Sequence, residues 1–149
     1  MGVCKVEYRE RIIKGLGDHF PRGCQDDLDV ITTPVDWCGL NYYSRKIISP
    51  CDGPWPAHIE VDGPLPKTQM GWEIYPDALY KFLKRTAADY TGDLPLFVTE
   101  NGMAAADTVV DGKCVDPDRI DFINQHLSRV KQAADEGVPV QGYFLWSLM

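Results

Sequence analysis

The chain has 149 residues, 44% of them apolar and 25% charged, enough to bury a core at the size of an ordinary single domain. Its 15 Lys and Arg face 22 Asp and Glu, a net charge of -7 that disfavours phosphate backbones, so nucleic acid is set aside as a partner. No apolar run approaches the roughly 18 uninterrupted residues of a membrane span, so a membrane is set aside as well.

In chain order, residues 5–14 interleave Lys5, Arg9, Arg11 and Lys14 with Glu7 and Glu10, which reads as the mixed solvated face of a helix. Residues 35–43 are rich in β-branched, aromatic and aliphatic side chains and read as a strand. From 44 to 69 the chain carries Pro50, Pro54, Pro56, Pro64 and Pro66 with Gly53 and Gly63, a density that predicts a long loop or a short hairpin. After Pro76 and Asp77, the stripe Leu79, Phe82, Leu83 and Ala87 predicts a helix that ends at Thr91-Gly92-Asp93. Residues 94–99 are a second strand. Ile120, Ile123, Leu127, Val130 and Ala134 recur at spacings of three and four and predict a helix with one apolar face. Asp116 suits its N-cap, Pro117 its first position and Gly137 its C′ position, and Pro139 prevents continuation. Residues 138–148 form the third strand. Strand, helix, strand, helix, strand is the grammar of parallel βαβ units.

Cys4, Cys24, Cys38, Cys51 and Cys114 are odd in number and lack a Cys-x-x-Cys pair, so they read as free thiols of a reducing compartment. With no apolar targeting core after Met1, the expected location is cytoplasmic. His19, His58 and His126 have no partner at metal-ligand spacing and are given structural or surface roles.

The most informative segment is Leu96-Phe97-Val98-Thr99-Glu100-Asn101-Gly102. An apolar strand ends on a carboxylate and runs into an Asn-Gly turn. The carboxyl end of a parallel strand is where α/β active sites are built, so two readings of Glu100 compete on pattern alone: a catalytic group, and a solvated glutamate entering a turn.

Thr99-Glu100-Asn101-Gly102 resembles the nucleophile motif of the family-1 glycoside hydrolases, the β-glucosidase family. Asp36-Trp37-Cys38-Gly39-Leu40-Asn41-Tyr42-Tyr43 resembles the segment of that family's sixth strand. Met70-Gly71-Trp72-Glu73-Ile74-Tyr75-Pro76 resembles its Gly-Trp-Glu stretch, and Gly142-Tyr143-Phe144-Leu145-Trp146-Ser147-Leu148 its eighth strand. Arg119-Ile120-Asp121-Phe122 with His126-Leu127 matches the intervening helix. The order of these matches implies an α/β fold, an incomplete (β/α)8 TIM barrel represented by strands six to eight and their helices. Residues 1–149 are then the C-terminal portion of such a barrel without separate domains, since a whole one needs about 250 residues.

The resemblance implies a retaining β-glycosidase of the β-glucosidase type. Glu100 is its nucleophile and forms a covalent glycosyl intermediate. Tyr43 orients that carboxylate, and Asn41 and Trp146 contact substrate, Trp146 by stacking on a sugar face. Trp55 or His58, in the proline-rich loop, is a candidate for the aglycone side, the alternative being a solvated surface loop with one aromatic patch. No metal or organic cofactor is implied, and the implied partners are a β-glycoside or oligosaccharide and the missing N-terminal half of the barrel. The family's acid/base glutamate lies in an Asn-Glu-Pro motif that this sequence does not contain, and the sequence stops before the family's Asp-Asn-Phe-Glu-Trp continuation. The chain is therefore expected to be inactive alone, and the alternative is a non-catalytic truncated remnant with at most weak sugar binding.

Overall fold

The structure is a computed structural model that describes residues 10–24 and 26–147. In chain order it contains α1 (Glu10–Leu16), α2 (Leu28–Ile31), β1 (Cys38–Asn41), β2 (Ile47–Pro50), β3 (His58–Val61) and α3 (Pro76–Thr86). These are followed by β4 (Leu96–Asn101), β5 (Val109–Val110), β6 (Lys113–Cys114), α4 (Pro117–Asp135) and β7 (Val140–Leu145). The residues form two compact units, those up to 35 with 46–62, and 36–45 with those from 63 onward.

The smaller unit holds α1, α2 and an antiparallel hairpin in which Ile47 pairs with Val61 and Pro50 with His58. The proline-rich stretch thus folds as a hairpin, with Gly53, Pro54 and Pro56 confined to its connection. Lys46 reaches Glu60 across the pair at 2.5 Å. Trp55 lays its indole on Gly15, where any side chain would collide with the ring. The ring of His58 bonds the Pro56 carbonyl at 2.9 Å. Cys4 and residues 5–9 of the expected mixed helix lie outside the described residues.

The larger unit is built on a three-stranded parallel sheet in the order β1-β4-β7, with α3 and α4 as connecting helices, the βαβ pattern expected from the sequence. All three strands are shorter than, or offset from, their expected ranges: 38–41 against 35–43, 96–101 against 94–99, and 140–145 against 138–148, whose residue 148 is not described. Leu96 and Val98 of β4 have no exposed surface, and they pack with Leu79 and Leu83 of α3 and Val130 and Ala133 of α4 to form the core.

The helix caps follow the sequence. The Asp116 carboxylate accepts the Arg119 N–H at 3.4 Å, Pro117 opens α4, and Gly137 takes a φ of +91° at the C′ position, a value that costs glycine nothing. The buried face of α4 is a correction. Phe122, His126, Val130 and Ala133 face the core, whereas Ile120 and Leu127 of the expected stripe are exposed. Two stripes interleave on this helix, and the one that contains a histidine faces the core, where the imidazole bonds within its own helix. A smaller correction holds for α3, where Phe82 is exposed and Thr86 is buried beside Leu79 and Leu83.

His126 is completely buried. Its Nδ1–H donates to the Phe122 carbonyl at 2.8 Å, its ring lies 3.9 Å from that of Phe122, and its Nε2 has no partner. Burial lowers its pKa, and the bond to Phe122 opposes this only in part. The unfolded chain takes up a proton below about pH 6.5 that the folded chain refuses. Stability from this site is therefore fully present above about pH 6.5 and is lost as pH falls through the lowered folded value. The melting temperature should drop on acidification below that point, and His126→Gln should flatten that part of the profile in a thermal-melt series; an unchanged slope would refute the assignment.

Candidate active site

Glu100 stands on the central strand, held on both sides by parallel neighbours. Burial alternates along Leu96, Phe97, Val98 and Thr99 and then breaks, so that Glu100 is half-buried and Asn101 is fully buried. The pairing slips at the same place: the register shifts between Leu40 and Asn41 on the β1 side and between Val98 and Asn101 on the β7 side. Strict alternation would have sent Glu100 to the side of Leu96 and Val98. The irregularity gives that side to Asn101 and re-aims Glu100. β4 thus runs through Asn101, and the expected Asn-Gly turn is absent. Gly102 is required for another reason, because a methyl group there would overlap the Trp146 carbonyl oxygen.

The Tyr43 hydroxyl donates to Glu100 Oε2 at 2.6 Å, the length of a charge-assisted bond. Burial, and then this bond and the nearby carboxylate charge, push the Tyr43 phenol well above its ordinary pKa, so it remains a donor throughout the neutral range. Trp72 meets the Tyr43 ring edge-on at 5.6 Å. Asn41 pairs with Glu100 in the β1–β4 register. It is exposed, and its Oδ1 accepts the Thr99 hydroxyl at 2.7 Å.

Trp146 follows β7, donates its backbone N–H to the Asn101 carbonyl at 2.9 Å and leaves 58% of its surface exposed. With Tyr43, Trp72 and Met70 it lines a cavity of about 840 Å³. Glu100 meets this wall through Tyr43, and Asn41 is not on it. Phe144 is exposed on β7, an edge strand of the described sheet. A second cavity of about 910 Å³, lined by Asp77, Asp121 and Arg129 among others, touches none of the four expected site residues.

Across the 840 Å³ cavity, Arg119 binds both oxygens of Asp107 at 2.6 and 2.9 Å, Asp116 at 2.6 Å and the Met103 carbonyl at 3.2 Å. It ties the chain after Glu100 to the start of α4. The guanidinium holds the Asp107 carboxyl below the usual carboxylate range.

The family model for glycosyl hydrolase family 1 matches residues 2–149. The chain belongs to that family. It is 39% identical over 149 residues to a 1,4-beta-D-glucan glucohydrolase of Thermotoga neapolitana, covering 99% of this chain and 35% of that protein. A bifunctional beta-D-glucosidase/beta-D-fucosidase of Bifidobacterium breve is 47% identical over 156 residues, covering 93% of this chain and 34% of that protein. The solved family 1 β-glucosidase from Thermotoga maritima superposes with a TM-score of 0.89 at 36% identity, covering 98% of this chain and 33% of that one. The chain thus spans about a third of the length of the family 1 relatives it matches.

Three features of this family 1 site were not legible as site residues. Asn101 and Gly102 looked like a turn, and Tyr143, read only as part of the third strand, donates its hydroxyl to Asn101 Oδ1 at 2.6 Å. The available signal was an amide side chain closing an apolar strand, where a buried polar group requires partners.

Proposed function

We propose that this chain carries the nucleophile half of a retaining β-glycosidase of the β-glucosidase type, as strands six to eight of an eight-stranded barrel. The observation that carries this reading is the 2.6 Å bond from Tyr43 to Glu100: a phenol fixes one carboxylate oxygen and leaves the other free to attack an anomeric carbon. Retention requires a second carboxyl group about 5 to 5.5 Å away to protonate the leaving oxygen. That group is assigned to the N-terminal part of the barrel. Attack by Glu100 expels the aglycone and forms a glycosyl ester, which water then cleaves. Trp146 offers an indole to a sugar face, and Asn41 offers an amide near the same strand end. The carboxyl pair supplies the chemistry without metal or organic cofactor. The proposed partners are a β-glycoside or oligosaccharide and the N-terminal barrel. No helix among the described residues is long and apolar enough to cross a membrane, and the free thiols of Cys24, Cys51 and Cys114 support a reducing, cytoplasmic setting.

The test is a chimera in which this chain replaces the matching third of the Thermotoga maritima β-glucosidase. It is expected to hydrolyse aryl β-glucosides, while the chain alone shows no turnover, because a nucleophile without its general acid loses roughly a 10²- to 10⁴-fold contribution. A folded but inactive chimera would favour the remnant reading. Turnover by the chain alone would overturn the division of labour.

A further inference from the structure

The β4 pairing register shifts on both sides, just where the site residues must be held. The Asn101 side chain sits at that shift. It has no exposed surface. Its Nδ2 donates to the Tyr42 carbonyl at 2.7 Å, just past β1, and its Oδ1 accepts the Tyr143 hydroxyl at 2.6 Å, on β7. Its own carbonyl accepts the Trp146 N–H at 2.9 Å, and the Tyr42 N–H donates to the Glu100 carbonyl at 2.9 Å. A carboxamide offers one face that donates and one that accepts, so it acts as an additional peptide group inserted between three strands.

We propose that Asn101 is the positioning residue of this site, a side-chain latch that locks the ends of β1, β4 and β7 so that Tyr43, Glu100 and Trp146 keep a fixed relation. The latch sits among the site residues: its donor face holds Tyr42, which precedes Tyr43, its acceptor face holds Tyr143, three residues before Trp146 on the same strand, and its own backbone follows Glu100 and accepts the backbone N–H of Trp146. Tyr143 serves the latch as a dedicated donor, its hydroxyl pushed up to about 12 by burial and hence protonated at every pH at which an enzyme works. Losing Asn101 orphans a buried carbonyl and a part-buried hydroxyl together, and a buried group is expensive to leave unpaired. The inference rests on the reading of Glu100 as the nucleophile, but its geometry does not depend on turnover.

The test reads the Tyr43–Glu100 bond in the full chain by a pH titration of ¹³Cζ-labelled tyrosines. Wild-type Tyr43 should ionise above its ordinary value of about 10. Asn101→Ala should lower that midpoint by about one unit as the bond to Glu100 loosens. Tyr143→Phe, which keeps its ring and removes only the donor, should move the midpoint the same way, and it decides the matter if the alanine variant does not fold. Val98→Ala, which removes core methyls from the same strand, should lower the melting temperature and leave the midpoint in place. An unmoved Tyr43 in Tyr143→Phe, or an equal shift in Val98→Ala, would overturn the latch. In the chimera, trapping by 2-deoxy-2-fluoroglucosyl fluoride should place a sugar on Glu100. No adduct there would remove the nucleophile reading and leave the tyrosine titration to decide the latch.

Discussion

Glu100→Gln in the chimera is expected to abolish hydrolysis of aryl β-glucosides, a loss on the order of 10⁶-fold, as when a covalent nucleophile is removed elsewhere. The substitution is nearly isosteric. The glutamine carbonyl still accepts the Tyr43 hydroxyl, so the 2.6 Å contact has a successor and the fold loses little. What disappears is the negative charge, and with it both the attacking electron pair and the stabilisation of positive charge at the anomeric carbon. A positional role for Glu100 would predict a modest effect, because the hydrogen bond survives.

A second variant separates nucleophile from electrostatic bystander. Glu100→Ala opens a space the size of a carboxymethyl group, and sodium azide should restore turnover of an activated aryl β-glucoside by attacking from that space. The product would be α-glucosyl azide, of inverted configuration, because only one displacement then occurs. Rescue without inversion, or a Glu100→Gln enzyme within an order of magnitude of wild type, would remove Glu100 from the chemistry.

The parts of this fold that the sequence revealed are those that local rules dictate. Proline density between 44 and 69 excludes a regular helix and leaves a long loop or a short hairpin, and Asp116, Pro117 and Gly137 mark the ends of α4 through a side chain that accepts a free N–H, a ring that lacks one, and a backbone free to take positive φ. The pairing of Tyr43 with Glu100 was legible through family resemblance, since nothing in composition brings residues 57 positions apart together. What escaped was set by packing. The rotation of α4 that buries Phe122 and His126 instead of Ile120 and Leu127 depends on which stripe the sheet accepts. The slip that sends Asn101 inward and Glu100 out is a property of three paired strands, invisible to an alternation counted along one of them.

The same slip makes Gly102 the most sequence-sensitive glycine of the unit. Its φ is not in the left-handed region, so the constraint is space: a Cβ there would overlap the carbonyl oxygen of Trp146. That carbonyl has little room to retreat, because the N–H of the same residue is tied to Asn101, the neighbour of Gly102. Gly102→Ala must therefore break the β4–β7 closure or shift backbone, and overpacking of this kind costs about 1–3 kcal/mol, at times more. Gly112 provides the contrast, with a φ of +74° and nothing within 4 Å of an added methyl, so Gly112→Ala should cost only the strain of that backbone region, about 1 kcal/mol. Denaturant unfolding of the two variants should rank Gly102→Ala as the more damaging, and its Trp fluorescence should change in the folded baseline as Trp146 leaves its seat. Equal stability of the two variants would show that the Trp146 carbonyl yields freely and that the cavity wall beside Tyr43 is softer than its hydrogen bonds imply.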